Sequence, residues 1–364
     1  MDLGLLGLEQ LLSLPLGDLA NEFGLAAGEV VEELALAGEG RCAHVVEGCP
    51  PDPRGEDLFA GRFDDPLAGV AAPLGDLRLV HDPEATRWTT RSSACYDWTM
   101  QSNDEVLSSL PIDHRLAGRT AVVTGSTSGI GEAIARVLAA SGATVVVTGR
   151  DVPRAKAVVD TITAAGGSAH PVQADLAGSY DDLRAFARAA ADTLGGSVDI
   201  LVNNAGVYPV LPTALLADAD LDAVLATNIR APHVLVAELV PAMAERGSGA
   251  IVNIGSWMSR VGIPAGAMYT ASKAAIEQMT RTWAAEFGPR GVHVNSVAPG
   301  ATATPGNAAA TEALNAMAAN TVAGVPVRPV DIAYAVRYLV SDEAAFVHGT
   351  VIDVDGGIAS TRIA

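Results

Sequence analysis

From Arg119 onward, short runs rich in Val, Ile and Thr alternate with longer segments whose apolar residues recur with helical period. Strands that alternate with helices form βαβ units and a parallel sheet. Such strands are nearly continuous in Val and Ile because helices cover both faces of the sheet. The sequence therefore predicts a doubly wound α/β domain. Its predicted strands are Thr120–Thr124, Thr144–Thr148, Ser168–Gln173, Ile200–Asn203, Ala250–Ile254, Val292–Val297 and Val351–Val354, and its predicted helices include Glu132–Ala140, Asp181–Leu194, Val224–Arg246, Ser272–Phe287 and Asp331–Leu339.

Charge and composition exclude several classes of partner. The chain of 364 residues is 49% hydrophobic and carries a formal charge of −19, which repels nucleic acid and anionic lipid. The first residues lack a positively charged signal-peptide region, and no stretch reaches the roughly 18 to 20 uninterrupted apolar residues of a spanning helix. All three cysteines lie before residue 100, without a metal-ligand spacing. We expect a cytoplasmic protein with reduced thiols, no metal, no nucleic acid and no membrane partner.

The N-terminal part differs from the rest of the chain. Residues 1–99 hold 6 basic and 18 acidic side chains, and they contain turn-forming clusters and one plausible amphipathic helix, Asn21–Ala37. We interpret residues 1–110 as an irregular, acidic extension before a catalytic domain at 111–364. We expect residues 1–99 to be either weakly ordered or, since Met100 offers a second start, an upstream stretch assigned to the protein by a misplaced start. An acidic lid or partner-binding arm is the alternative.

A glycine-rich turn links the first predicted strand to an alanine-rich helix. It reads Thr-Gly-Ser-Thr-Ser-Gly-Ile-Gly from Thr124 to Gly131. Glycines let a backbone turn tightly and approach a pyrophosphate, and the helix N-terminus presents free N–H groups to it. This strand–turn–helix context predicts a dinucleotide site, although the spacing differs from the G-x-G-x-x-G fingerprint.

A Tyr and a Lys stand four residues apart in a later helical segment, at Tyr269 and Lys273, so both lie on one helix face. A phenol has a pKa of about 10, and a neighbouring ammonium stabilises its ionised form and lowers that pKa. Lys273 is one of two lysines in a chain that otherwise uses Arg.

Ser256 follows a predicted strand, at the sheet edge where α/β proteins build their ligand crevice. Its hydroxyl can donate a hydrogen bond to a substrate oxygen.

Taken in order, these motifs resemble the short-chain dehydrogenase/reductase family in its form of roughly 250 residues, a Rossmann fold with Tyr-x-x-x-Lys, over Arg115–Ala364. Further matching motifs are Asn-Asn-Ala-Gly at 203–206, Asn228, Pro299-Gly300 with Thr304, and Asp-Gly-Gly at 355–357. The resemblance implies an oxidoreductase that transfers a hydride between NAD(P)(H) and a carbonyl/alcohol pair.

The resemblance also implies roles for single residues. Tyr269 would be the proton donor, Ser256 would polarise the carbonyl, Lys273 would lower the Tyr269 pKa and bind the nicotinamide ribose, and Asn228 would position a water that relays protons. The implied cofactor-binding residues are Gly125, Ser126, Ser128, Gly129, Ile130, Gly131, Arg150, Asp175, Leu176, Asn203, Ala205, Gly206, Tyr269, Lys273, Pro299, Gly300, Thr302 and Thr304. Taken from the residues alone, an Asp such as Asp175 is more often a helix cap, Asn203 fits a plain turn residue, and Asn228 is equally a structural helix residue.

The residues after the second strand bear on the choice of cofactor. An NAD-preferring site would place an acid at position 149 to accept from the ribose 2′-hydroxyl. This chain has Gly149, followed by Arg150, whose planar fork can pair with a 2′-phosphate. We therefore expect NADP, with NAD left open because Asp151 is adjacent.

The substrate and the assembly are less constrained. Residues near the predicted site, such as Tyr208, Val210 and Met258, are apolar or small on the whole, so we expect an uncharged small-molecule carbonyl or alcohol, with Ser256, Met258 and Tyr269 contacting it. A catalytically silent dinucleotide-binding sensor or scaffold is the alternative function. The family resemblance implies a homodimer or homotetramer paired through two long helices. Candidate interface residues are Leu235, Leu239, Ile276, Met279 and Trp283, although packing on the sheet would explain them as well.

Overall fold

The computed structural model describes residues 78–81, 88–91 and 102–361. The chain divides into two units, 1–100 and 101–364. In the first unit, β1 (Arg78–His81) and β2 (Trp88–Arg91) pair antiparallel. The helix expected at 21–37, and the interpretation of the extension as weakly ordered or misassigned, lie outside the described residues.

The second unit begins before residue 111, where the sequence interpretation placed the domain boundary. Helix α1 (Asn103–Ser108) lies within this unit. Asn103 Oδ1 accepts a hydrogen bond from the backbone N–H of Val330 at 3.0 Å, and the Leu107 carbonyl accepts one from Arg136 at 3.1 Å. These bonds fix α1 to two helices of the domain.

A seven-stranded parallel sheet forms the centre of the second unit, in the order β5-β4-β3-β6-β7-β8-β9. The predicted doubly wound parallel sheet is therefore confirmed, and every predicted strand is present to within two residues. The strands are β3 (Thr120–Val123), β4 (Thr144–Gly149), β5 (Ser168–Gln173), β6 (Ile200–Asn203), β7 (Gly249–Ile254), β8 (Val292–Pro299) and β9 (Val351–Val354).

Helices cover both faces of this sheet. Neighbouring strand residues point to opposite faces, so Val145 and Val147 of β4 join one buried cluster and Val146 joins the other. The first cluster includes residues of α2 and α9, and the second includes residues of α4 and α6. The helices are α2 (Gly129–Ala140), α3 (Val152–Ala164), α4 (Tyr180–Thr193), α5 (Asp218–Val224), α6 (Ala231–Arg246), α7 (Ala267–Phe287), α8 (Thr311–Ala319) and α9 (Pro329–Val340).

A π-helical turn, Leu225–Arg230, joins α5 and α6 into one helix of 29 residues. Among the described residues it is the one helix long and apolar enough to cross a membrane by composition, and 56% of its most apolar window is buried inside the protein. In α6 the apolar residues, including Leu235, pack in the core against the sheet. The length and hydropathy of this helix are thus accounted for by packing within the chain.

The proposed interface residues need correction. Leu235, Leu239, Ile276 and Trp283 belong to the buried cluster on one face of the sheet, with at most 6% of their surface exposed, and Met279 packs against it. Their helical spacing reflects attachment to the chain's own sheet. Leu235, Leu239, Ile276 and Trp283 therefore pack on the chain's own sheet, while Met279 is only partly buried.

The strand order reverses beside β3. The chain moves outward from β3 to β4 and β5, then returns to β6 on the other side of β3. In doubly wound sheets the loops at the carboxyl ends of the strands separate at this point and leave a crevice. The crevice lies between the turn after β3 and the turn after β6.

Candidate active site

The glycine turn occupies the β3 side of the crevice. Gly125 and Gly129 have positive φ angles of 64° and 59°, which L side chains rarely adopt. Gly131, in the first turn of α2, packs against the turn itself, and a Cβ there would lie 2.3 Å from the Gly125 carbonyl oxygen. Ile130 packs on the core. The turn is therefore tightly closed and directs the N-terminus of α2 into the crevice.

Two serines of the turn have different surroundings. Ser126 is fully buried, and its hydroxyl donates to the Val123 carbonyl at 2.7 Å and accepts from the Thr148 N–H at 2.9 Å. Its own N–H donates to the Thr148 carbonyl. Ser126 thus ties β3 to β4, and its expected cofactor contact stays a prediction. Ser128 is the N-cap residue of α2, and its side chain makes no capping hydrogen bond.

A second asparagine, which the sequence analysis did not select, joins the two sides of the crevice. Asn204 Nδ2 donates to the carbonyl oxygens of Thr124 and Gly125, at 2.8 and 3.1 Å. The Thr124 hydroxyl accepts in return from the N–H groups of Asn204 and Ala205. These bonds hold the turn after β6 against the turn after β3.

Asn203 ends β6 and is 5% exposed. Its Nδ2 donates to Asn253 Oδ1 at 2.8 Å, and among the described residues its Oδ1 has no partner. A buried acceptor of this kind is costly unless a ligand or water satisfies it.

Asp175 lies after β5, where its Oδ1 accepts a hydrogen bond from the Ala177 N–H at 3.0 Å, and Leu176 beside it is buried.

The end of β4 carries the residues expected to select the cofactor. A Cβ on Gly149 would lie 2.7 Å from Cγ2 of Thr127 in the glycine turn. Arg150 is exposed and has no ion pair within residues 102–361. Asp151 caps α3, since its Oδ1 accepts from the Arg154 N–H at 3.0 Å. The side chain of Asp151 is therefore engaged in capping α3.

The segment after β8 reaches the glycine turn. Pro299 ends β8, and the Gly300 N–H donates to the Val354 carbonyl at 3.0 Å. Thr302 is buried and donates to the Gly300 carbonyl at 2.9 Å. Thr304 lies beside Gly129, where a Cβ would be 3.4 Å from the Thr304 side chain. The structure thus brings Thr304 and the glycine turn together.

Ser256 follows β7 and is 5% exposed. Its hydroxyl accepts a hydrogen bond from the Met258 N–H at 3.2 Å, which starts the short 3₁₀ turn Trp257–Ser259. Ser256 also lies close enough to the phenol of Tyr269 to lower its pKa. The serine and the tyrosine therefore face the same small space.

Tyr269 and Lys273 lie on the first turns of α7. Lys273 Nζ is 6.0 Å from the centre of the Tyr269 ring and donates to the Ile254 carbonyl at 2.8 Å. Burial raises the pKa of the Tyr269 phenol, and the nearby Ser256 hydroxyl acts against that rise. This direction is opposite to the one expected from a neighbouring ammonium. The reason is that the phenol itself is buried. Lys273 is buried as well, which lowers its own pKa to about 8.

Asn228 lies in the π-helical turn and is 3% exposed. Its side chain pairs with the backbone of Val207, accepting from the N–H and donating to the carbonyl, both at 2.9 Å. It also donates to the Ser272 hydroxyl at 3.0 Å. A Cβ on Gly206 would lie 3.3 Å from Asn228 Oδ1 and 3.4 Å from Lys273 Nζ. Asn228 and Lys273 thus meet at the Asn-Asn-Ala-Gly turn.

Tyr208 forms an outer wall of the site. Its ring lies edge-on to the Tyr269 ring, with centroids 6.5 Å apart, and its hydroxyl donates to the Gly306 carbonyl at 2.8 Å. The loop after β6 is thereby joined to the loop after β8. Met258, expected to contact substrate, lines a surface depression of about 330 Å³ together with Ser259, Arg260, Val261, Thr270, Ala271 and Ala274.

Comparison with known proteins agrees with this architecture. The sequence profile of short chain dehydrogenases matches residues 119–315. The 3β-hydroxysteroid dehydrogenase 1 of Eggerthella lenta is 38% identical over 254 residues, which cover 67% of this chain and 94% of that protein. The 3-oxoacyl-(acyl-carrier-protein) reductase of Thermotoga maritima is 32% identical over 249 residues, which cover 67% of this chain and 99% of that protein.

A solved structure shows the same likeness. It is a proposed NAD(P)-dependent gluconate 5-dehydrogenase from Beutenbergia cavernae, determined with NADP bound at low occupancy. The match has a TM-score of 0.64 and 42% identity, and it covers 69% of this chain and 100% of that one.

Proposed function

The chain belongs to the short-chain dehydrogenase family, and from that premise we propose that it transfers a hydride between NADP(H) and an apolar alcohol or ketone. The observation that carries the proposal is the convergence of four side chains at one end of the sheet. Ser256 lies close to the Tyr269 phenol, and Lys273 lies next to both Tyr269 and the turn that Asn228 holds. Family membership itself supports a dehydrogenase or reductase that acts on an alcohol or ketone group.

The crevice fits a dinucleotide on two observations. The closed glycine turn leaves the N–H groups at the start of α2 free for a pyrophosphate, and Asn203 Oδ1 is a buried acceptor with no partner in the described part of the chain. We propose that Ser128 to Gly131 hold the phosphates and Asn203 the adenosine ribose, with Asp175 and Leu176 at the adenine. The nicotinamide end would rest against Ala205, Gly206, Tyr269, Lys273 and the segment Pro299–Thr304.

NADP is favoured over NAD by the end of β4. Position 149 has no carboxylate, and Thr127 fills the space beside it. Arg150 is exposed, while Asp151 is engaged as the cap of α3. The guanidinium is thus available for a 2′-phosphate, and no acid competes for that position.

The chain's own residues would handle the proton. When bound, the nicotinamide supplies or accepts the hydride at the substrate carbon. In reduction, the Tyr269 phenol gives its proton to the substrate oxygen while Ser256 donates a hydrogen bond to the same oxygen. The raised pKa of the cofactor-free phenol keeps Tyr269 protonated, as a proton donor must be. Lys273 and Asn228 would hold the relay that returns the proton to Tyr269.

An apolar substrate is favoured by the exposed side chains around the site. Tyr208, Val210 and Leu211, in the loop after β6, and Val322, in the loop after α8, are at least 39% exposed. Apolar surface that water covers in the free protein favours a ligand that displaces the water.

We further propose that the protein is cytoplasmic and forms a homodimer or homotetramer. Light scattering of the full chain that shows monomer alone at micromolar concentration would contradict the proposed assembly.

The test is a turnover screen of the full chain over cyclic, acyl and steroidal ketones and alcohols, with NADP(H) and NAD(H) in parallel. Tyr269→Phe should leave the dissociation constant of NADPH nearly unchanged and lower kcat at least ~10²-fold, because only the general acid is removed. Tyr338→Phe, on the exposed face of α9, is the matched control. Cofactor binding without turnover in the wild type would instead support a dinucleotide sensor.

A further inference from the structure

One buried acid in the domain has no role in the chemistry described above. Glu277 lies on α7, one turn after Lys273, and its side chain is 4% exposed. Within residues 102–361, Asp355 is the other buried carboxylate, and its burial is explained by hydrogen bonds that it accepts from the backbone N–H groups of Gly357 and Ala359. Burial of a carboxylate is costly unless close partners compensate it. The partners of Glu277 therefore indicate what it does.

The first oxygen of Glu277 lies beneath the turn that carries Ser256. Ser259 Oγ is 2.6 Å from Glu277 Oε1 and 2.6 Å from the Ser256 carbonyl oxygen, so its proton is shared between the two. Glu277 Oε1 also lies against the backbone just before Ser256, since a Cβ on Gly255 would be 2.7 Å from it. The carboxylate thus holds the end of the Gly255–Ser259 turn through Ser259 and packs against its start at Gly255.

The second oxygen faces a cation that is already paired. Arg260 Nε is 3.8 Å from Glu277 Oε2, while the guanidinium bonds both carboxylate oxygens of Asp353 on β9. Asp355 adds a further negative charge near the same guanidinium. Arg260 therefore offsets the charge of Glu277 only in part.

The remaining negative charge acts on Lys273. The two side chains are four residues apart on one helix and both are buried. Burial lowers the pKa of Lys273, and the carboxylate of Glu277 opposes that effect. The other titratable group beside Lys273 is the neutral phenol of Tyr269. Among the described residues, Glu277 is thus the charge that favours a protonated Lys273.

We propose that Glu277 is a positioning residue with two tasks: through Ser259 it holds the turn that presents Ser256 to the substrate, and through its charge it keeps Lys273 protonated. The inference rests on the proposed function for the roles of Ser256 and Lys273. The two tasks use different properties of one side chain, a hydrogen-bond acceptor and a negative charge. They can be separated by substitution.

The charge is tested without turnover. Because the chain has only two lysines, a lysine-selective ¹³C label on the full chain gives two side-chain signals, and exposed Lys156 serves as an internal reference. Glu277→Gln should lower the pKa of Lys273 by roughly one unit, whereas Ser259→Ala and the surface variant Glu286→Gln should not move it. An unchanged Lys273 titration in Glu277→Gln overturns the charge task. If that variant folds poorly, Glu277→Asp, which withdraws the carboxylate by one methylene, should give a smaller shift in the same direction.

The hydrogen bond is tested by kinetics. Ser259→Ala should lower kcat on a ketone roughly tenfold, with KM for NADPH and the pH profile unchanged, because Ser256 loses its support while Lys273 does not. Ser259→Thr, which restores a hydroxyl, should recover part of the rate. A wild-type kcat in Ser259→Ala overturns the positioning task. If the wild type shows no NADP(H)-dependent turnover, the proposed function fails, and the Lys273 titration still decides whether Glu277 sets its charge.

Discussion

Thr127 and Gly149 share one space: a Cβ on Gly149 would lie 2.7 Å from Cγ2 of Thr127, and the Thr127 hydroxyl and Cβ are the next nearest atoms. The absence of an acid at position 149 is therefore a property of two residues, one in the glycine turn and one at the end of β4. Changing cofactor preference should require both to change.

Gly149→Asp alone should weaken the binding of both cofactors, since the new side chain must displace Thr127 and disturb the glycine turn. In a Thr127→Ala background the carboxylate has room to accept from a ribose 2′-hydroxyl, and NADH should then bind more tightly than NADPH. Dissociation constants for the four proteins of this cycle should reveal a coupling of at least ~0.5 kcal/mol. Additive effects of the two substitutions would contradict the steric link.

Arg150→Ala should weaken the binding of NADPH by about 1.5 to 3 kcal/mol and should change the binding of NADH little, because only NADPH offers a 2′-phosphate to the guanidinium. Arg154→Ala removes the same charge four residues later on an exposed position and is the matched control. Fluorescence titration with each cofactor measures the difference. Equal losses of affinity for both cofactors would show that Arg150 acts as a general positive charge and does not recognise the 2′-phosphate.

Tyr208→Phe keeps the ring against Tyr269 and removes the bond to the Gly306 carbonyl. The wall between the two loops should become less ordered, and KM for an apolar substrate should rise roughly 2- to 12-fold, as expected for a hydrogen bond of about 0.5 to 1.5 kcal/mol. We expect kcat to change less than KM. Steady-state kinetics on the ketone with the highest turnover measures both constants. A loss confined to kcat would instead indicate that Tyr208 takes part in the chemical step.

The buried Lys273 should leave a signature in stability against pH. Its folded-state pKa is about 8, against 10.5 ordinarily, so between these values the unfolded chain binds more protons and the free energy of unfolding rises with pH. Below pH 8 both states are protonated and the cost of burial is present in full. The stability of the wild type relative to Lys273→Met should thus be constant below pH 8 and increase from 8 to 10.5. Urea unfolding of both proteins checks this, and a difference that stays level across that range would contradict the burial effect.

Local pattern predicted the strands well, because both faces of the sheet are buried and the Val and Ile runs are distinct. It failed where a role depends on contacts between distant segments. Glu277 follows Lys273 by four residues and has the sequence pattern of an exposed ion pair, yet it is buried beneath Ser259. Leu235 and Trp283 have the spacing of an apolar helix face, but spacing does not tell whether that face covers the chain's own sheet or a second copy. The hydroxyl of Ser126 likewise supports the turn from inside.

The bond between the Asn204 N–H and the Thr124 hydroxyl joins residues 80 positions apart in the chain. Closing so long a loop is entropically costly, and such pairings form late and slowly. During synthesis, β3, β4 and β5 leave the ribosome before β6 does, so the inner edge of β3 stays unpaired until β6 arrives. The nucleotide crevice is therefore completed only when the two halves of the sheet join, and a nascent chain that stops before Ile200 exposes an open strand edge in its place.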